Sequence, residues 1–128
     1  MNMSKRDIAR GSLWRQWDLH VHTPASFHWM GKKFEGNELT DVNRALVDKM
    51  IDALNKATPA VFAVMDYWTF DGWFLLKKRL SESDSPKLRK TVFPGIEIRL
   101  AAPTTCRLNA HVIFSDKITD QQPRGFLS

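Results

Sequence analysis

Along RQWDLHVH, residues 15–22, apolar and polar positions alternate: Trp17, Leu19 and Val21 fall on one face of an extended segment and Gln16, Asp18, His20 and His22 on the other. This period of two predicts a strand, which Pro24 ends. Between Asn37 and Ala57 the period changes. Leu39, Val42, Leu46, Met50, Ala53, Leu54 and Ala57 recur at three- and four-residue spacing, the mark of an amphipathic helix capped by Asn37 or Thr40. After Pro59, AVFAVMD is apolar up to Asp66, as expected of a parallel strand covered on both faces. TFDGWFLLKKRL predicts a second helix from Asp71 or Gly72, and SESDSP a turn-rich linker. TVFPGIEIRLA and RLNAHVIFS predict two more strands, carrying Glu97 and His111. Strands alternating with helices predict an α/β fold with a largely parallel sheet, since parallel neighbours need a crossover between them.

The remaining segment, DKITDQQPRGFLS, is polar and without period, so no further helix or strand is expected there to cover the sheet edge. Residues 1–13 read as a lead-in, 14–115 as the domain, and 116–128 as a polar tail at which the chain looks cut short. In 128 residues with 43% apolar content there is room for one core and no second domain. Charge changes the picture little. A net +5 favours phosphate-bearing or other acidic partners, but the clusters Lys77, Lys78, Arg79 and Lys87, Arg89, Lys90 come with no nucleic-acid-binding motif and read first as solvated surface. Cys106 stands alone, so neither a disulfide framework nor a CxxC zinc site is available, which fits a reducing cytoplasm. The mixed, charged start of the chain has no apolar signal region, and no aliphatic run could span a bilayer. A soluble, cytoplasmic protein is expected.

The histidines are what stand out. Three of the four, His20, His22 and His28, fall within nine positions, and the fourth, His111, lies on the last predicted strand. A His-x-His pair on one strand face projects two imidazoles toward one point, and neutral imidazoles are good ligands for zinc and similar divalent ions. All four histidines sit at or just beyond the ends of predicted strands, where open α/β sheets place their sites, and Asp66 at the end of its strand and Glu97 just past the Pro94-Gly95 bend supply carboxylates. A dinuclear site needs a carboxylate to bridge its cations, and Glu97 is the choice for it. Asp66 reads equally as a ligand, a helix cap or a hydrogen-bond partner of a ligand. Asp18 reads as a hydrogen-bond partner or strand-end residue. Arg99 and Arg107 lie near predicted strand ends, where either could clamp a phosphate or simply be a surface charge.

Four motifs in order resemble those of the PHP (polymerase and histidinol phosphatase) domain: DLHVHT from Asp18, MDYWTFDG from Met65, FPGIEI from Phe93 and NAHVIF from Asn109. The resemblance covers residues 14–115. Its wording is most similar to the N-terminal PHP-type segment of TrlF-like AAA- or SMC-type ATPases, associated with DNA repair and phage defence. It implies the N-terminal portion of a PHP-type distorted β/α barrel. It also implies that His20 and His22 ligate a first metal, Glu97 bridges two, His111 ligates the second, and His28 helps to hold a third. Zinc or manganese would be the cofactor, a phosphoester, nucleic acid among the candidates, the substrate, and an ATPase domain a possible partner.

Two departures qualify the resemblance. Tyr67 stands where the family's Asp-His would place a metal-binding histidine, and a phenol, with its pKa near 10, is a poor substitute. The family's later strands, with another His and an Asp-x-His, have no counterpart before residue 128. The expected function is therefore a metal-dependent phosphoesterase module, with His20, His22, Glu97 and His111 as its catalytic set. Two alternatives stand beside it, a non-catalytic PHP fragment or scaffold and, last, a basic nucleic-acid-binding module.

Overall fold

The computed structural model describes residues 14–101, 103 and 105–128. The lead-in assigned to residues 1–13 lies outside the described residues. In chain order the elements are β1 (Trp17–Val21), α1 (Asp41–Lys56), β2 (Val61–Val64), α2 (Asp71–Leu80), β3 (Thr91–Leu100), β4 (Leu108–Ile113) and α3 (Gln121–Leu127). The sheet order follows the chain, β1-β2-β3-β4. β1, β2 and β3 are parallel neighbours, joined through α1 and α2, and β4 returns antiparallel on β3. The fold is α/β with a mostly parallel four-stranded sheet, as the alternation of periods predicts.

α1 starts where Thr40 can cap it, its hydroxyl accepting the Asn43 N–H at 3.2 Å. Asp41 in the first turn and Lys56 in the last complement the helix dipole. The buried stripe is Asn43, Val47, Met50, Ile51 and Leu54, rotated from the one the sequence suggests. Asn43 explains the rotation. Its side-chain amide donates to the carbonyls of Glu35 and Glu38 and accepts the Glu35 N–H, all at 2.7–2.8 Å, which fixes α1 against the preceding loop. Val47 and Ile51 therefore turn inward, and Val42 and Leu46 are only partly covered.

β2 is buried at every position, and α1 and α2 pack over it to form the core, with Ile51, Leu75, Leu76 and Ile96 fully enclosed. Burial of each such side chain stabilises the fold by about 1.5–3 kcal/mol. Gly95 on β3 is required by close approach. A Cβ there would lie 2.7 Å from Met65 Cε, 2.8 Å from the Val64 carbonyl oxygen and 2.9 Å from that of Val112.

β1 is the expected strand but does not bury its apolar face, since Trp17 is 55% and Leu19 37% exposed. It lies at the sheet edge, and a shift of register between Asp18 and Val21 interrupts its pairing with β2. Arg79 is not solvated but 4% exposed, its guanidinium shared among Asp48, Glu82 and Asp84. The polar tail does form a helix, α3. Pro123 sits in its first turn, where a missing N–H costs nothing. Phe126 meets the Phe114 ring edge-on at 5.6 Å, and the Arg124 guanidinium lies 4.4 Å from the Phe74 centroid. These aromatic contacts hold seven residues whose sequence has no helical period. Among the described residues no helix is long and apolar enough to cross a membrane.

Candidate metal centre

β1, the turn after it, β3 and β4 bring a set of nitrogen and oxygen donors together on one face of the sheet. His20 lies on β1 and His22 just past its end. Their rings approach to 5.1 Å between centroids. Glu97 reaches them from β3, with its Oε2 3.2 Å from His20 Nε2 and 3.9 Å from His22 Nε2. His111 stands opposite Glu97 in the β3–β4 register, its Nε2 3.7 Å from Glu97 Oε1 and its ring 4.4 Å from that of His20. Asn109 donates to the same Oε1 at 3.2 Å. The two oxygens of Glu97 thus face different histidines.

His20, His22 and Glu97 each offer a ligand atom within 4.8 Å of the others, a His/His/Glu cluster able to coordinate a metal ion. The donor set fits a divalent cation. Bonds of about 2.1 Å in a tetrahedral shell separate ligand atoms by about 3.4 Å, and the 3.2 and 3.9 Å separations bracket that value. Desolvation pushes the Glu97 carboxyl up, but His20, His111 and His22 together outweigh it and hold the group below its ordinary value. Glu97 therefore stays anionic, the form a cation requires.

The ring of His22 is aimed from behind. Its Nδ1 lies 3.1 Å from the hydroxyl of buried Ser26 and 3.6 Å from Asp66 Oδ1, which leaves Nε2 turned toward Glu97. Ser26 is held by the turn after β1, its N–H donating to the Thr23 carbonyl at 2.9 Å. Asp18, whose carboxylate accepts the His20 N–H at 3.1 Å, fixes the strand end, one of the two roles expected of it.

Asp66 and His28 are placed differently. Asp66 is fully buried and accepts two hydrogen bonds from Thr23, one from the backbone N–H at 2.8 Å and one from the hydroxyl. Burial pushes its carboxyl up against the opposing effect of those bonds. Its carboxylate meets the cluster through His22 Nδ1, while its backbone carbonyl accepts the Glu97 N–H at 3.0 Å. His28 is exposed, with its ring 6.0 Å from that of His22 and edge-on to Phe27 at 5.2 Å. Tyr67 forms an isolated parallel bridge to Glu97, and its ring lies beneath Arg99.

Sequence reasoning missed Thr23, Ser26, Gly72 and Asn109. HTPAS did carry a signal, since hydroxyl residues around a proline are turn formers that bond the backbone locally. Asn109 could have been found as the residue two before His111 on a strand, on the same face. Gly72, where a Cβ would collide with the Thr23 hydroxyl, had no such signal.

The fold and this cluster define an α/β protein with a His/His/Glu set capable of holding a cation. No protein family, no curated protein and no solved structure matches the chain.

Proposed function

We propose that the chain is a metal-dependent phosphoesterase module of the PHP type, which hydrolyses phosphoester bonds, with nucleic acid among its candidate substrates. In this reading it works with an ATPase domain in DNA repair or defence. The observation that carries the reading is the disposition of Glu97, with one oxygen toward His20 and His22 and the other toward His111. A carboxylate so placed can bridge two cations. His20 and His22 would hold the first and His111 the second. A divalent cation there would acidify water and offset charge on a phosphoryl oxygen. The chain's own contribution is orientation: Ser26 and Asp66 fix the His22 ring, and Asn109 fixes Glu97.

A second reading, a module that binds a cation without turnover, is favoured by the commitment of Asp66 to Thr23 and the outlying position of His28. Both leave the cluster with few ligands. The test is to load the metal-free protein with zinc or manganese, measure bound metal by elemental analysis, and follow hydrolysis of bis(p-nitrophenyl) phosphate. The phosphoesterase reading expects stoichiometric metal, turnover that requires it, and loss of both in His20→Ala and His22→Ala. Stoichiometric metal without turnover would establish the second reading. Unchanged metal content in the double variant would overturn both.

A further inference from the structure

We propose that Arg99 is an oxyanion-binding residue of this site, held in place by the ring of Tyr67, and that the ligand it grips is a phosphate group. The inference rests on the phosphoester reading above for its choice of anion. Arg99 lies two residues beyond Glu97 on β3 and opposite Asn109 on β4, so all three share the sheet face that carries His111. Two residues of strand span about 7 Å, enough for one tetrahedral oxyanion to sit between the Glu97 carboxylate cluster and a guanidinium. The Arg99 guanidinium carbon lies 5.9 Å from the centroid of the Tyr67 ring. Stacking on an aromatic face orients the fork while leaving its edge N–H groups free to donate.

What Arg99 lacks supports the same conclusion. Arg44 on α1 and Arg79 on α2 are paired, Arg44 with Glu82 and Arg79 with Asp48 and Asp84, whereas Arg99, like Arg124 on α3, forms no ion pair with any described carboxylate. Glu97, the nearest acid along its strand, is turned to the histidines and Asn109. An unpaired planar fork beside an imidazole cluster suits a ligand with several coplanar acceptor pairs, as phosphate has. Tyr67 then has a positive role: it replaces a possible ligand with a platform. The backbone supports this placement. Trp68 adopts a left-handed φ of 56°, a conformation bulky residues rarely take, and its N–H donates to the Glu97 carbonyl at 3.2 Å, which fastens the Tyr67 turn to β3.

The experiment measures binding of inorganic phosphate by calorimetry, with and without manganese, to the wild-type chain and to Arg99→Met, Arg99→Lys, Tyr67→Phe and Tyr67→Leu, with metal content and thermal melts recorded for each. Arg99→Met is expected to weaken phosphate at least tenfold with metal content and melting unchanged. Arg99→Lys should recover only part of the loss, because a point charge cannot fork. Tyr67→Phe should behave as wild type and Tyr67→Leu should weaken phosphate severalfold. Equal phosphate affinity in wild type and Arg99→Met, with metal bound, would overturn the proposal while leaving the metal reading intact. Loss of metal from Arg99→Met would also overturn it, by making Arg99 a support of the cluster. Arg99-dependent phosphate binding in a wild-type chain that takes up no metal would uphold the proposal and overturn the metal reading instead.

Discussion

Two polar clusters meet at His22, and they are built on opposite principles. On one side Asp66, Thr23 and Ser26 are fully buried, and the donors of Thr23 are spent on the Asp66 carboxylate. Gly72, in the first turn of α2, lies flush against them: a Cβ there would fall 2.0 Å from the Thr23 hydroxyl and 2.7 Å from Asp66 Oδ2. On the other side His20 and His111 are exposed around a buried Glu97, and three imidazoles surround that carboxylate with one amide donor to spare for it. The first cluster is closed and saturated, which is how a buried charge becomes tolerable. The second has more ligand atoms than partners. Identical residue types, a carboxylate beside a histidine, serve architecture in one and binding capacity in the other, and the difference is set by how many donors the backbone brings along.

The largest effect should come from breaking the closed cluster. Asp66→Ala strands both donors of Thr23 in the interior and should cost ~2–4 kcal/mol, measured by urea denaturation of the metal-free protein. Asp66→Asn should cost only about 1 kcal/mol, because the amide oxygen can accept the Thr23 N–H while the hydroxyl turns to accept from the amide nitrogen. The conservative variant also sharpens the comparison. If Asp66→Asn folds normally yet loses its metal, Asp66 belongs to the open cluster and the division drawn between them fails.

A smaller effect separates the two regions by pH. Burial raises the Asp66 carboxyl, so the native state holds its proton more tightly than the unfolded chain. Its ionisation therefore costs stability as pH rises from the ordinary value of 3.8 toward the raised one, and Asp66→Asn should remove that cost. Away from the site the sign reverses. Hydrogen bonds from Arg44 hold Glu82 low, and those from Arg79 hold Asp84 low. Their contribution is present above the ordinary values of 4.5 and 3.8 and is lost as pH falls through the lowered ones. Arg79→Met should lower the melting temperature by several degrees at pH 7, with the gap to wild type closing in acid. A gap that stays constant down to pH ~3 would mean that Arg79 acts by packing alone.

How much of this was legible in the sequence follows the same division. The α/β alternation and the placement of His20, Glu97 and His111 on strands, with His22 just past the end of β1, could be read because each rests on a local period, two for strands and 3.6 for helices. Period does not report donors brought from elsewhere. Asp66 left three roles open because its partner, Thr23, is 43 residues away in the chain. The rotation of α1 depended on Asn43 bonding a loop, a contact no helical stripe predicts. Arg79 looked like surface because its acids sit on α1 and on the linker after α2. α3 escaped notice since two aromatic contacts, not amphipathicity, hold it in place.

The smallest predicted effect is the one most able to redraw the boundary of the open cluster. His28 comes from the same turn as Ser26, its N–H donating to the Ser26 hydroxyl at 3.2 Å, yet its ring points to Phe27 and stays 6.0 Å from His22. Removing an exposed imidazole whose ring has no hydrogen-bonded partner among the described residues should change stability by less than about 0.5 kcal/mol. His28→Ala should likewise leave the number of bound ions unchanged, since His20, His22 and Glu97 converge without it. Titration of the metal-free variant with manganese, followed by elemental analysis, measures that number. A loss of one equivalent with His20 and His22 intact would show that the turn closes over a further cation when metal is supplied. His28 would then belong to the open cluster, and the Phe27 contact would be a resting position that ion binding breaks.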